Sequence, residues 1–564
     1  MAPKSGGALV VEALEKSGTE FVFGISGGHI FSIEEGLEHS TIRHITTRHE
    51  QAATFMAEAY GRMKRKPGVA LVTAGPGFTN SLSAVQNAYM SNVPLILIAG
   101  AVGLKAREKL DLQDVQQLPV ISPMVKKAFI CHNTDRIPEF MDMALRTAIV
   151  GRPGPVYLEI PVDVLGGKIE EEQIKRFSTV THSETVDKAT VTAYLQMLKG
   201  SERPMIIAGS GAHYSDAGEA ISTFAEKTGT PVFTANQGRG IISDTHPICF
   251  ESSLAVRPGA SLLALTSSDL ILILGNRIGL TYGFGDFWGP KTKLVQVDIE
   301  PEEIGRNHSI DLGILSDVKS FMTECTKKVE EEGNTGVLNR RFEPWRQALT
   351  DEAKKSKAEA TINWMGEEDC IHPWRLANEV DLFMDREDDI IAADGGDMQV
   401  WMSMKRTCRQ SGRYMDAGLF GCLGVGLPYG NAAKLINPDR RVLTVIGDGS
   451  MGFNFMEIET AIRHNIPLVV VISNDKGWGM VRHAQQLKLG HVIEECCEIG
   501  EINYQNLVKE LGGAAFYVDK ARDIRPALEA AFAAKKVACI NVMTDPRPIS
   551  PGSIALARIG GYAP

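Results

Sequence analysis

Two acidic residues, Asp448 and Asp475, end two apolar runs, RVLTVIGDG and PLVVVISND, and this placement suits a hard divalent cation. RVLTVI reads as a buried β-branched strand, GDGS as the turn that leaves it, MEIETAIRH as an amphipathic helix, and PLVVVIS as a second strand. In such a unit both loop ends meet at one edge of the sheet, where carboxylate, amide and carbonyl oxygens can converge with those of a phosphate. Gly447 and Gly449 let backbone come close to that phosphate, and the helix N-terminus after Ser450 favours an anion. GDG alone is an ordinary turn tripeptide. The order strand, GDGS, helix, strand, polar ND is what points to a cation clamped on a diphosphate.

A third carboxylate stands far away in the chain. In TTRHEQAATFMAEAYGR, Glu50 opens an alanine-rich helix whose other residues suit burial, so it either caps that helix or does chemistry. Two glycine-rich stretches carry less. GSGAHYSDAG, after the strand MIIA, has the look of a nucleotide-binding turn, yet such loops are common packing devices in doubly wound sheets, and packing is the favoured reading. GCLGVGLPYG, which begins at Gly421, reads as the opening of a closely packed helix rather than as a dinucleotide fingerprint.

The elements that must position these residues fall into three units. Residues 1–170 alternate helical patterns with strand-like runs (FVFGI, VALVTA, PLILIAG, PVYLEIP). Residues 188–329 carry PMIIAGSGA, LILILGNRIG and KLVQVDIEP, and residues 370–564 carry DDIIAADGG, the GDG unit and the closing strand ACINVMT. The expected fold class is α/β, with three doubly wound parallel-sheet domains of which the first and third share a fold. KIEEEQIKRFSTVTHSETVDK separates the first two units, and the charged, partly helical residues 330–369 suit a solvated connection.

The 564-residue chain is 44% hydrophobic and 23% charged, a globular composition. A formal net charge of -10 without any Lys/Arg run argues against a nucleic-acid partner. No apolar stretch reaches membrane-spanning length, and the N-terminus is too charged for a signal peptide. Nine cysteines without a CxxC pair, the adjacent Cys496 and Cys497 included, read as reduced thiols, so a cytoplasmic location is expected.

The GDG unit resembles the signature of thiamine-diphosphate (ThDP) enzymes, in which GDG is followed by a metal-binding asparagine. Here Asp475 takes that position, keeping an oxygen ligand and adding a charge. The resemblance implies ThDP and Mg²⁺ as cofactors, with Asp448, Asp475 and the Gly477 carbonyl as metal ligands. RHEQAA matches the segment bearing the family's essential glutamate, which implies that Glu50 bonds the cofactor's pyrimidine N1′ and favours the tautomer that deprotonates C2. TAGPGFTN, with Pro76 and Asn80, matches the pyrimidine-side loop. ADGGDMQVW, with Gly396 and Asp397, matches cofactor-lining positions, as do Gly421, Leu423, Gly447, Gly449, Ser450, Trp478, Gly479 and Met480. These matches span almost the whole chain, which is identified as a member of the acetolactate-synthase-like ThDP superfamily, with pyrimidine-binding, middle and diphosphate-binding domains. In resembling enzymes the two ends of the cofactor bind different subunits, which implies a homodimer or homotetramer with sites at the subunit interface.

Within the superfamily the chain is most similar to the benzaldehyde lyases, through GGHI ending at Ile30, GWG ending at Gly479, GLTYGFG from Gly279 and the tail PRPISPGSIALARIGGYAP. That similarity implies reversible cleavage and formation of 2-hydroxy ketones from aldehydes, with His29 as proton shuttle and Gln113 bonding the substrate oxygen. The alternative for His29, a hydrogen-bonded loop histidine, is the less favoured reading. Ser26 stands where a benzaldehyde lyase has a second histidine, so substrate recognition is expected to differ. Trp478, Met480, Trp401 and Phe420 are candidates either for an apolar acceptor pocket or for core. Three rivals remain. Acetolactate synthase, acting on a 2-keto acid, shares Glu50, Gln113 and the metal residues, but its flavin-associated stretch is replaced here by NRIGLTYGFG, which argues against FAD. A 2-hydroxyacyl-CoA lyase is the second. The third, a non-catalytic ThDP-binding regulatory protein, is opposed by the joint retention of Glu50, Asp448 and Gly477.

Overall fold

The apolar runs become parallel strands covered on both faces, which is why they lack polar alternation. A computed structural model describes residues 3–177, 186–252, 259–365 and 370–559. In the first unit β1 (Phe21–Gly24), β2 (Arg43–Thr46), β3 (Gly68–Val72), β4 (Leu95–Ala101), β5 (Lys127–Ile130) and β6 (Pro155–Pro161) form a sheet in the order β2-β1-β3-β4-β6-β5. A short antiparallel ribbon, Lys4–Ser5 with Lys168–Ile169, ties the start of this unit to its end.

The middle unit holds β7 (Pro204–Ala208), β8 (Val232–Thr234), β9 (Cys249–Ser252), β10 (Leu270–Leu274), β11 (Lys293–Asp298) and β12 (Leu312–Leu315), ordered β9-β8-β7-β10-β11-β12. The third holds β13 (Ile390–Asp394), β14 (Tyr414–Met415), β15 (Val442–Gly447), β16 (Val469–Asn474), β17 (Ala514–Val518) and β18 (Ala538–Met543), ordered β14-β13-β15-β16-β18-β17. The first and third sheets therefore thread identically, as their shared fold requires, whereas the middle sheet has the order of a dinucleotide-binding fold.

The stretch expected to be a solvated connection is a 30-residue helix, Thr335–Trp364. Its Leu338, Phe342, Trp345 and Leu349 are buried in the cores of the middle unit, at the spacing of one helical face. The charged residues between them mask that stripe in the sequence. Residues 178–185 of the other polar connection lie outside the described residues. Among the described residues no helix is long and apolar enough to cross a membrane.

One core joins the outer units. The helix Glu50–Lys64, buried along Ala52 to Arg62, packs on Pro76–Met90 of its own unit and on Gly426–Ile436 of the third. Phe55 meets Tyr429 edge-on at 6.0 Å. At the same seam Arg62 Nη2 donates to Glu58 Oε1 at 2.6 Å and Arg62 Nη1 donates to Asp416 O at 2.6 Å, with both ionic side chains buried. Asn87 Nδ2 completes the node, donating to Glu58 and to Tyr429 Oη. The middle unit joins through His213, whose Nε2 lies 2.8 Å from Arg62 O. Burial holds that imidazole down at about 4, so it stays neutral.

Removing one partner of a buried ion pair strands the other. Arg62→Met is expected to cost about 3–5 kcal/mol and to lower the thermal midpoint, while Arg62→Met with Glu58→Met recovers much of the loss. An unchanged midpoint in the single variant sinks this account of the seam.

Candidate functional site

The carboxyl ends of β1, β2, β3 and β4 gather His29, Glu50, Pro76, Asn80 and Gln113 around one turn. After β3 the chain passes through Thr73 and Gly75 into the helix Pro76–Met90, with Pro76 at its first position. Asn80 Nδ2 donates to Glu50 Oε2 at 2.9 Å. The cap of the helix Glu50–Lys64 is His49, whose Nδ1 accepts from Gln51 N–H at 3.1 Å. Glu50 is thus not the cap, and its half-buried carboxylate is turned toward Asn80.

His29 Nδ1 lies 3.2 Å from Thr73 Oγ1. A Cβ at Gly27 would come within 2.5 Å of the Thr73 side chain, and one at Gly77 within 2.9 Å, so both glycines let the cluster close. Gln113 adopts φ +64° and packs on Gly75, itself at +62°. For a non-glycine residue that backbone is strained by about 1–2 kcal/mol, and it brings Gln113 to the rim of the turn.

The carboxyl ends of β13, β15 and β16 enclose a second feature, a cavity of about 260 Å³. Gly396, Asp397, Gly421, Leu423, Gly447, Asp448, Gly449, Ser450, Asp475, Gly477, Trp478, Gly479 and Met480 all line it. Its lining begins at Pro373 and includes none of the first cluster. Glycine is needed at the closest approaches: a Cβ on Gly449 would come 2.7 Å from the Trp478 ring, and one on Gly479 would come 2.4 Å from Asp475 Oδ2 and 2.9 Å from Asp397 Oδ2.

One open alternative is decided and one expectation needs correction. Trp401 is core: it packs against Trp364, Trp374 and His372, while Phe420 is exposed outside the cavity lining, so of the four candidates only Trp478 and Met480 line the cavity. The helix expected after Ser450 is split. Asp448–Met451 forms a helical turn starting at Asp448 itself, and the amphipathic helix begins later, at Glu457. Tyr504 Oη donating to Asp448 O at 2.8 Å and Ser450 Oγ donating to Asp394 Oδ1 at 2.7 Å hold that turn.

Burial and the neighbouring Asp475 push the Asp448 carboxyl up to about 8, and Asp475 is itself raised by burial. Asp448 Oδ2 is buried without a hydrogen-bond partner. Sequence reasoning missed three supporting residues. Asp394 accepts from the N–H groups of Gly395 and Gly426 at 2.6 and 2.7 Å and so shapes the loops around the cavity. His483 Nδ1 lies 2.6 Å from Asp397 Oδ2, and although burial opposes its charge, that carboxylate raises its pKa overall. Tyr504 carries no motif and is found only from the fold.

Family models for thiamine pyrophosphate enzymes match in chain order: the N-terminal TPP binding domain over residues 4–120, the central domain over 191–325 and the C-terminal TPP binding domain over 394–542. The acetolactate synthase large subunit IlvG of Mycobacterium tuberculosis is 30% identical over 96% of both chains. The 2-hydroxyacyl-CoA lyase of Arabidopsis thaliana is 29% identical over 96% of both, and the oxalyl-CoA decarboxylase of Escherichia coli 28% identical over 95% of this chain and 94% of its own. The chain belongs to the thiamine pyrophosphate enzymes. It is an enzyme of three parallel-sheet α/β domains, and ThDP is the cofactor its two TPP binding domains take.

The donor set of the cavity fits a hard cation beside a diphosphate. Asp448 and Asp475 would supply carboxylates, and the buried Asp448 Oδ2 has no hydrogen bond competing for it. Among the described residues no cluster of three or more His, Cys, Asp or Glu forms a site by itself, so phosphate and backbone oxygens must complete the sphere.

A carboxyl raised above its unfolded value near 3.9, as Asp448 is to about 8, keeps a proton that the unfolded chain releases. Its contribution to stability is therefore lost progressively as pH rises from about 4 to about 8. In EDTA the thermal midpoint of the wild type is expected to fall across this range relative to Asp448→Asn, and Mg²⁺ with ThDP to narrow the difference. Parallel pH profiles for the two proteins count against the buried pair.

Proposed function

We propose that the protein is a ThDP- and Mg²⁺-dependent lyase and carboligase that reversibly cleaves and forms the C–C bond of 2-hydroxy ketones from aldehydes. The observation that carries this reading is the turn at Thr73, where an ionisable imidazole and the Glu50 carboxylate converge, so that a proton carrier stands beside the group facing the pyrimidine. When bound, ThDP supplies the electron sink for the pair released as the C–C bond breaks. Glu50 holds the proton at N1′, and Asn80 fixes its carboxylate. With Nδ1 engaged by Thr73 Oγ1, His29 Nε2 is left to take the proton of the substrate hydroxyl on cleavage and return it on ligation. Gln113 donates to the substrate oxygen, Asp448, Asp475 and the Gly477 carbonyl hold Mg²⁺, and Leu423, Trp478 and Met480 exclude water.

The separation of the two clusters supports shared sites. A homodimer, or a tetramer of two such pairs, in which Glu50 of one chain faces the Asp448 cavity of another, completes each site. Apolar surface suited to a partner lies at both halves: Leu110 is 98% and Leu112 76% exposed beside Gln113, and Phe453 packs on Trp478 while half its surface stays open. The reading carries no FAD, because NRIGLTYGFG stands in place of the flavin-associated stretch. All nine cysteines are free thiols, which supports a cytoplasmic setting. Acetolactate synthase is the second reading, favoured by the 30% identity along nearly the whole chain.

His29→Ala is expected to leave C2 hydrogen–deuterium exchange of bound ThDP within about threefold while lowering acyloin turnover about 10²-fold or more. Glu50→Gln is expected to slow C2 exchange about 10²-fold or more for every substrate. Stoichiometric flavin with fast acetolactate formation from pyruvate hands the assignment to the synthase, and reaction with 2-hydroxyacyl-CoA alone hands it to the CoA lyase. Sedimentation is expected to give a dimer or larger; an active monomer refutes the shared site.

A further inference from the structure

Glu50 stands on a strip, residues 46–51, that is gripped from another unit. Thr46 O accepts from Arg463 Nη2 at 2.9 Å and lies 3.1 Å from His464 Nε2, while the Thr46 hydroxyl accepts from Arg463 Nη1. Arg48 N–H donates to Glu457 Oε1 at 3.0 Å. Gln51 Oε1 accepts from Asn454 Nδ2 at 3.2 Å, and that same nitrogen reaches Gly424 O, next to Leu423, at 2.8 Å. All four gripping residues lie in or beside the helix Glu457–Arg463 of the third unit.

Glu457 is the buried member of this grip. It is 1% exposed, its backbone carbonyl accepts from Asn431 Nδ2 at 3.0 Å, and its Oε2 is buried without a hydrogen bond of its own. Burial raises its pKa, and the Thr460 hydroxyl and then the N–H groups of Arg48 and His49 oppose that rise. A carboxylate is costly to bury, and this one meets main chain two residues before Glu50, at a helix start whose N–H groups have no intrahelical partner.

We propose that Glu457 is a positioning residue for Glu50: it fixes the backbone from which the catalytic carboxylate springs, and it acts on the chemistry only through that carboxylate. Hydrogen bonds to a cofactor weaken steeply with misalignment, so a small shift of the strip moves Glu50 off its partner while the cavity at Asp448 is undisturbed. Arg463, on the more exposed end of the same helix, shares the grip at Thr46.

The inference rests on the role proposed above for Glu50, and Glu50→Gln separates the two: wild-type C2 exchange in that variant removes the Glu50 assignment itself. Glu457→Met, close in volume and lacking an acceptor, is expected to raise amide hydrogen exchange over residues 46–51 of the cofactor-free protein about tenfold, and to slow C2 exchange about tenfold, with ThDP affinity changed less than about threefold. Glu457→Gln keeps an oxygen for Arg48 N–H and is expected within about threefold of wild type in all three. In a Glu50→Gln background, Glu457→Met adds no further slowing. Wild-type amide and C2 exchange in Glu457→Met, or equal added slowing in the Glu50→Gln background, overturns the proposal. If Glu457→Met does not fold, Arg463→Met decides it: about threefold changes in both exchanges are expected, and wild-type values overturn it.

Discussion

Two carboxylates buried side by side cannot both carry charge unless a cation lies between them, and the third unit is arranged around that constraint. β15 and β16 are paired with Gly447 opposite Ser473, so Asp448 and Asp475 leave neighbouring strands at nearly the same level. The register puts the charges together, and the glycines around them let backbone, Trp478 and Asp397 close in. The same low-dielectric closure that raises the Asp448 pKa makes a bound cation and diphosphate worth more than they would be in water.

That site is only half of what the chemistry needs, and the other half stands on a sheet threaded in the same order. Both clusters lie at the carboxyl ends of parallel strands, where loops rather than strands carry the reactive groups. What relates the halves within one chain is the seam between Glu50–Lys64 and Gly426–Ile436, with the Arg62–Glu58 pair at its centre. The seam is also the far end of the helix that Glu50 begins. A shift at either end of that helix is therefore felt as a displacement of the carboxylate.

How much of this was legible follows from what each residue depends on. The three sheets were readable because buried parallel strands are continuous β-branched runs, and the cavity residues were readable because GDG, its helix and ND are local in sequence. Whether Glu50 caps its helix was not, since His49, an uncommon cap, takes that place. The burial of Thr335–Trp364 was hidden by its charges, although the spacing of Leu338, Phe342, Trp345 and Leu349 carries the signal. Trp401 could not be sorted from Trp478 by type, because only the fold tells which one meets three other rings and which one meets the cavity. Glu457, Asp394 and Tyr504 are long-range partners, and nothing local in the sequence separates them from any buried polar residue.

The surroundings of Asp475 are where the fold adds most to the sequence. Burial raises the Asp475 pKa, and the charge of Asp397 in the same cavity raises it further. Two basic side chains answer it: Arg482 lowers the Asp475 pKa again, and His483 lies against Asp397 with its other nitrogen 2.8 Å from Pro546 O. Ser553 Oγ donates to the remaining Asp397 oxygen at 3.1 Å, which draws the helix Pro551–Ile559 onto the same group. The charge at Asp475 is thus set by Asp397, Arg482, His483 and Ser553, on three segments. Asp475 belongs to a balanced set rather than replacing one ligand in isolation, and its balance extends to the docking of the C-terminal helix.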